Sequence, residues 1–265
     1  MIELRTLGQL ELKGSDRAEL YAILAQPKRL ALLTYLAVST QRQRRDTVLA
    51  LFWPDLDTHH ARGALRQAIR FIRRELGDGV LNGRSEEELG FQEGTLWCDA
   101  AAFERACELG RPAEALTLYR GDFLDGFFVS GASPEFDYWV ESQRRRLKNL
   151  AVEAARASAE GRGAEGDAAA AMRWARRALE LRPDGEDTLR RLIRLLDRLG
   201  ERAAAVDIYD DFARRLAAEY EVEPSRETQE LVQTIRRRAG PRAKAESPEL
   251  VLARAWFSAG WSGIC

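Results

Sequence analysis

The sequence predicts a mainly α-helical protein with a small α+β domain at its N-terminus and an all-α array behind it. Three observations predict this. Strand-like stretches are confined to the first hundred residues, from IELR at 2–5 to LWC at 96–98. From Asp99 onward the pattern is almost entirely helical and rich in Ala, Leu, Arg and Glu. Within that second part similar segments recur at a fixed spacing. A chain of 265 residues is long enough for two such domains, each with its own core.

Residues 2–5 and 8–12 alternate around Gly8 as short strands, and Gly14-Ser15-Asp16 reads as a polar turn. Pro27, favourable at a first helical position, opens the helix KRLALLTYLAV with Leu30, Leu33 and Leu36–Ala37 on one face. The basic run Ser39–Arg45 breaks that pattern. Asp46 is placed to cap the next helix, TVLALFW, which Pro54 ends. Asp57 or Thr58 caps a long helix from about His59 to Leu76, with Gly77 as its stop. Val80-Leu81, Leu89–Phe91 and Leu96–Cys98 then read as short strands between polar turns. Two strands, three helices and a terminal hairpin are the order of a winged helix-turn-helix.

Gly166 and Gly200 stand 34 residues apart, and GDAAAAMRWARRALELRP aligns with GERAAAVDIYDDFARRLA. An earlier copy, GRPAEALTLYRGDFL, starts at Gly110. A helical period of this length, with small residues where paired helices cross, is the tetratricopeptide pattern. Trp139, Trp174, Tyr209 and Phe212 lie at helical spacing and read as core. The predicted organisation is a winged helix-turn-helix over 1–99, a tetratricopeptide-like domain over 100–239 and a flexible tail over 240–265.

No apolar stretch is long enough to span a membrane, and MIELRTLGQL lacks the apolar core of a secretory signal. Cys98, Cys107 and Cys265 form no CxxC pair, which fits a reducing cytoplasm better than a disulfide framework or a zinc site. The two histidines, His59 and His60, are adjacent, and neighbours on a helix point to different sides, so no metal is expected. No phosphate-binding glycine loop and no nucleophile elbow is present. An enzyme is therefore the weakest reading, and no catalytic residue or cofactor is assigned.

Net charge is −1, yet the charge is segregated. Between Gln26 and Leu76 ten bases face four acids, a net of +6. On a wheel of the long helix, Ala61, Ala68, Ile69, Ile72 and Leu76 fall within about 60° of Leu65. The opposite arc carries Arg62, Arg66, Gln67, Arg70, Arg73 and Arg74. A guanidinium fork matches guanine and Gln matches adenine, while further arginines neutralise phosphates. A run of charge is usually no more than a solvated face. Here Glu75 is the only acid on the helix, so these arginines lack the partners four residues away that solvated helices have. Lys28, Arg42, Arg44 and Arg45 are the predicted backbone anchors, and Asn82 and Arg84 the wing residues nearest a minor groove, although Glu86, Glu87 and Glu88 beside them repel phosphate. The competing reading is a tetratricopeptide-type protein-interaction adaptor whose winged helix does not bind DNA.

PKRLALLTYLAV, RRDTVLALFWPDLD, HARGALRQAIRFIRREL, ALTLYRGDFLDGF and YDDFARRLAAEYEVEPSRETQELVQTIR together resemble the Streptomyces antibiotic regulatory protein family, over roughly residues 2–238. The resemblance implies a response-regulator-type winged helix followed by a bacterial transcriptional activator domain. It implies binding of double-stranded DNA at direct repeats in promoters, often as a side-by-side homodimer, and activation through contact with RNA polymerase in the cytoplasm, on the nucleoid. It also implies that the loop Trp53–His60, with Trp53, Asp55 and Asp57, helps to touch the polymerase.

Overall fold

The computed structural model of the protein describes residues 1–14, 16, 18–39, 41–82 and 87–239. Ser15, Arg84, Glu86, Cys265 and the tail from 240 lie outside the described residues. The chain forms two compact units, the first Met1–Arg182 and the second from Pro183 onward.

The first unit begins with β1 (Ile2–Arg5), β2 (Glu11–Lys13), α1 (Tyr21–Leu24), α2 (Pro27–Val38), β3 (Gln43–Arg44), α3 (Arg45–Phe52) and α4 (Thr58–Leu76). Next come β4 (Leu81–Asn82), β5 (Glu88–Phe91) and β6 (Leu96–Cys98). Two three-stranded sheets result, ordered β2-β1-β6 and β3-β5-β4. The last strand does not extend the preceding hairpin as the sequence suggests. It runs parallel to β1, with Ile2 opposite Leu96 and Leu4 opposite Cys98. The short β3 falls in the run that has no strand pattern. Its pairing with β5, continued by the Arg45 amide donating to Glu87 at 2.8 Å, sets where α3 begins. Asp46 therefore lies inside the first turn of α3 and makes no cap hydrogen bond.

Helix α2 is buried on every side rather than on one face: Leu30 through Leu36 are all sequestered. The helices beyond β6 are responsible. Helices α5 (Asp99–Glu108), α6 (Pro112–Leu118), α7 (Pro134–Ala164) and α8 (Ala168–Leu181) complete the same unit. A single hydrophobic core runs without a break from Ile2 through Phe103 and Phe136 to Leu181. Trp139 of α7 meets Tyr35 of α2 edge-on at 4.9 Å, and Phe136 lies 4.9 Å from Phe52. Buried Asp99, at the start of α5, accepts the amides of Thr6 and Leu7 at 2.7 and 3.0 Å, the Thr6 hydroxyl at 2.9 Å and the Ala100 amide at 2.8 Å.

The segment YRGDFLDGF is a latch of the same kind. The Leu124 amide donates to Thr6 and the Gly8 amide to Asp122. A side chain on Gly121 would stand 2.9 Å from the Gly8 Cα, so this crossing needs a bare backbone on both strands. Arg144 of α7 closes it, donating to the carbonyls of Phe123, at 2.7 Å, and Leu124.

In the second unit α9 (Glu186–Arg198), α10 (Arg202–Tyr220) and α11 (Arg226–Ala239) pack on one another. The repeat seen in the sequence has a physical basis in its glycines. Gly110, Gly166 and Gly200 each end a helix with φ between +67° and +83°. In all three places the next amide reaches five residues back: Arg111 to Ala106, Asp167 to Arg162, Glu201 to Leu196. One helix-stopping motif is thus used three times.

Candidate nucleic-acid interface

Helix α4 is positioned at both ends by its own sequence. Asp57 is the N-cap and accepts the amides of His59 at 3.0 Å and His60 at 3.1 Å. The His60 amide and ring hold the Asp57 carboxyl below the usual carboxylate range. Its Oδ2 lies 2.5 Å from His60 Nδ1. The ligand atoms of Asp57, His59 and His60 consequently come within 4.8 Å of one another, closer than adjacency on a helix suggests. All three are exposed, and the Asp57 and His60 atoms are engaged in capping. At the other end the Gly77 amide donates to Arg73 at 2.7 Å.

The two faces separate as the wheel predicts. Ala61, Leu65, Ala68, Ile69 and Ile72 are buried, while Arg62, Arg66, Gln67, Arg70 and Arg74 are exposed. Arg44 and Arg45 from the β3–α3 junction join Arg62, Arg66, Arg70, Arg73 and Arg74 in lining an open groove of about 1230 Å³. Asp46, Asp78 and Glu87 also border it, so seven arginines outnumber three carboxylates. Among the described residues Arg44, Arg66 and Arg70 have no hydrogen-bond or ion-pair partner. Arg62 reaches Asp46 only at 4.0 Å, and both are well exposed, so that pair holds little. Arg74 meets Glu75 at 2.8 Å.

Three of the predicted site residues are engaged elsewhere and a fourth is half-buried. The Arg73 fork grips the Leu81 carbonyl through Nε at 3.1 Å and Nη2 at 2.7 Å, which ties β4 to α4. Lys28 donates to the Gly131 carbonyl at 2.6 Å, and burial pulls its pKa down. Arg42 lies over Gly90 of β5, where a side chain would meet its Cγ at 3.0 Å. Arg45 is half-buried with its Nε sealed from solvent and unbonded. In the loop ahead of α4, Trp53 packs beside Phe52 with ring centroids 6.1 Å apart, Asp57 caps, and Asp55 and Leu56 are exposed. Leu56, which no sequence pattern singles out, is 45% exposed.

One arrangement had no signal in the sequence. The guanidinium of Arg29 lies 4.0 Å from the Phe71 ring centroid, and that of Arg74 lies 4.9 Å from the same ring.

The bacterial transcriptional activator domain family matches residues 85–236, more than half of the chain. The chain belongs to that family. It is a family of transcription regulators, and the likeness to Streptomyces antibiotic regulatory proteins read from the sequence is borne out. A solved structure, Mycobacterium tuberculosis EmbR in complex with a low-affinity phosphopeptide, matches over 97% of this chain and 70% of that one, with 21% identity and a TM-score of 0.62. At that identity the match shows a common fold. No curated protein matches the chain. Among the described residues no helix is long and apolar enough to cross a membrane.

Proposed function

We propose that the protein activates transcription by binding duplex DNA through α4, with residues 1–99 as the DNA-binding part and 100–239 as the activator part. Arg66, Gln67 and Arg70 face the base edges of a major groove, and Arg44, Arg62 and Arg74 meet the flanking phosphates. Arg73 acts indirectly by holding the wing strand against the helix. Lys28 acts as a tether to the segment before α7 rather than as an anchor. The preferred sites are direct repeats in promoters, occupied by two copies side by side, with Asp55 and Leu56 of the exposed loop turned toward RNA polymerase.

The observation that carries this reading is the pair of unpartnered guanidiniums, Arg66 and Arg70, on the exposed side of a helix whose other side is fully seated. A carboxylate one turn away can pair with an arginine on a solvated helix, and α4 offers Arg66 and Arg70 none. These two point donors into a groove where no carboxylate meets them.

Selection of bound oligonucleotides with the purified protein, and then a salt titration on the selected duplex, tests it. Affinity should fall steeply with salt, and Arg44→Ala should flatten the slope by about one unit. Absence of affinity for any duplex, together with salt-insensitive capture of a protein partner, would transfer the function to the adaptor reading.

A further inference from the structure

Lys28 and Arg29 are neighbours at the start of α2, and the fold gives them different environments. Lys28 is tied to a carbonyl 103 residues away. Arg29 has no hydrogen-bond or ion-pair partner among the described residues; its one contact of this kind is with the face of Phe71. Phe71 is half-buried on α4 and also carries Arg74. Two guanidiniums therefore share one ring, and among the described residues Glu75 is the only carboxylate bonded to either.

Like charges gathered around one aromatic side chain repel each other, and the ring quadrupole offsets only part of that cost. A guanidinium resting over a ring can still offer N–H donors outward; those of Arg29 are unengaged among the described residues, whereas Arg74 already gives Nε to Glu75 at 2.8 Å. The first turn of α2 contains no acidic residue, so the positive end of that helix adds to the same field rather than being neutralised. The ligand that suits the open Arg29 fork, with the Arg74 charge beside it and a positive helix end behind, is an oxyanion able to accept bidentate hydrogen bonds.

We infer that Arg29 and Arg74, stacked on Phe71, form a clamp for a DNA backbone phosphate at the C-terminal end of α4. This rests on the DNA-binding reading and adds to it a contact from α2, with Phe71 as the positioning residue. The clamp sits at the end of α4 away from Asp57, so it fixes the angle of the helix in the groove without reading bases.

Mixed-sequence duplex DNA is a sufficient probe, because a phosphate contact is indifferent to sequence. Arg29→Met keeps the aliphatic stem and removes the charge. It should weaken binding to mixed-sequence and selected duplexes by the same factor and lower the salt slope by about one unit. Phe71→Leu keeps both charges and removes the platform. It should weaken binding by a smaller factor and leave the slope near that of the parent. Thermal melts of each variant run alongside. An Arg29→Met protein that melts earlier yet binds with parental affinity and slope would show that the stack only joins α2 to α4, and would overturn the clamp. If the parent protein itself shows no salt-dependent affinity for duplex DNA, the DNA-binding reading fails first and the clamp with it.

Discussion

On α7, Arg144, Arg156 and Arg162 each reach a carboxylate three residues away: Glu141 at 2.6 Å, Glu153 at 2.7 Å and Glu165 at 2.8 Å. On α8 Arg177 does the same with Glu180 at 3.1 Å, and on α10 Arg214 pairs with Asp211. On α4, Arg66 and Arg70 have no such partner among the described residues. The residue type is the same and the helical setting is the same, but α4 has one glutamate in nineteen residues. Arginine paired at one turn is a solubility device worth a few tenths of a kcal/mol. Exposed Arg145 on α7 and Arg173 and Arg176 on α8 are also unpartnered among the described residues, so what sets Arg66 and Arg70 apart is the groove in which they gather with five further arginines.

The largest effect is expected from removing the unpaired arginines. Arg66→Ala combined with Arg70→Ala should abolish discrimination between the selected duplex and an unrelated one, a loss of about 2–6 kcal/mol if each side chain makes a bidentate base contact. The melting transition should stay where it is, because neither side chain bonds to the fold. Retained discrimination in a gel-shift titration would remove α4 as the reading element.

Arg144 lies at the opposite extreme, with its guanidinium spent on two main-chain carbonyls of the latch. Arg144→Ala should cost about 2–4 kcal/mol of folding free energy in a urea titration, since charged hydrogen bonds to partly buried carbonyls are lost. Discrimination between duplexes should survive in whatever protein remains folded. Arg73 is intermediate, half-buried on the groove side yet bonded to Leu81. Arg73→Ala should cost about 1–2 kcal/mol of stability and weaken all duplexes alike, because the wing strand loses its tie to α4. A change confined to one base position would instead make Arg73 a reader.

Much of this was legible because it is written locally. The 3.6-residue period of α4 separates its buried and exposed faces, Asp57 marks its start, and the three glycines mark the ends of α5, α7 and α9. What was illegible depends on segments far apart in the chain. Gln43–Arg44 becomes a strand only because β5 is there to pair with it, and no apolar residue in that run signals pairing. Lys28 looks like an anchor until Gly131 arrives to take its donor, and Arg29 looks ordinary until Phe71 lies under it. Composition changes at residue 99, yet the compact unit continues to Arg182, since composition reports helical propensity and not which helices share a core. The segment YRGDFLDGF, which carries part of the family resemblance, is a structural latch, with Gly121 kept bare for Gly8 and Arg144 closing the turn.

The smallest effect is expected at Arg226, which is 92% exposed and pairs with Glu230 four residues on, at 2.7 Å. Both its position and its orientation work against it. It occupies the first turn of α11, where the helix end is already positive, and it precedes its acid rather than coming after it, the weaker order for such a pair. Arg226→Ala should therefore leave the melting midpoint unchanged or slightly raised, with duplex affinity and salt slope as in the parent. Arg226 is more exposed than Arg62. If exposure alone made an arginine available to DNA, Arg226 would count as much as the arginines of α4, and its loss would flatten the salt slope. A flat response at Arg226 beside a steep one at Arg66 and Arg70 ties the function to the missing carboxylates and the groove, and not to how many arginines the surface carries.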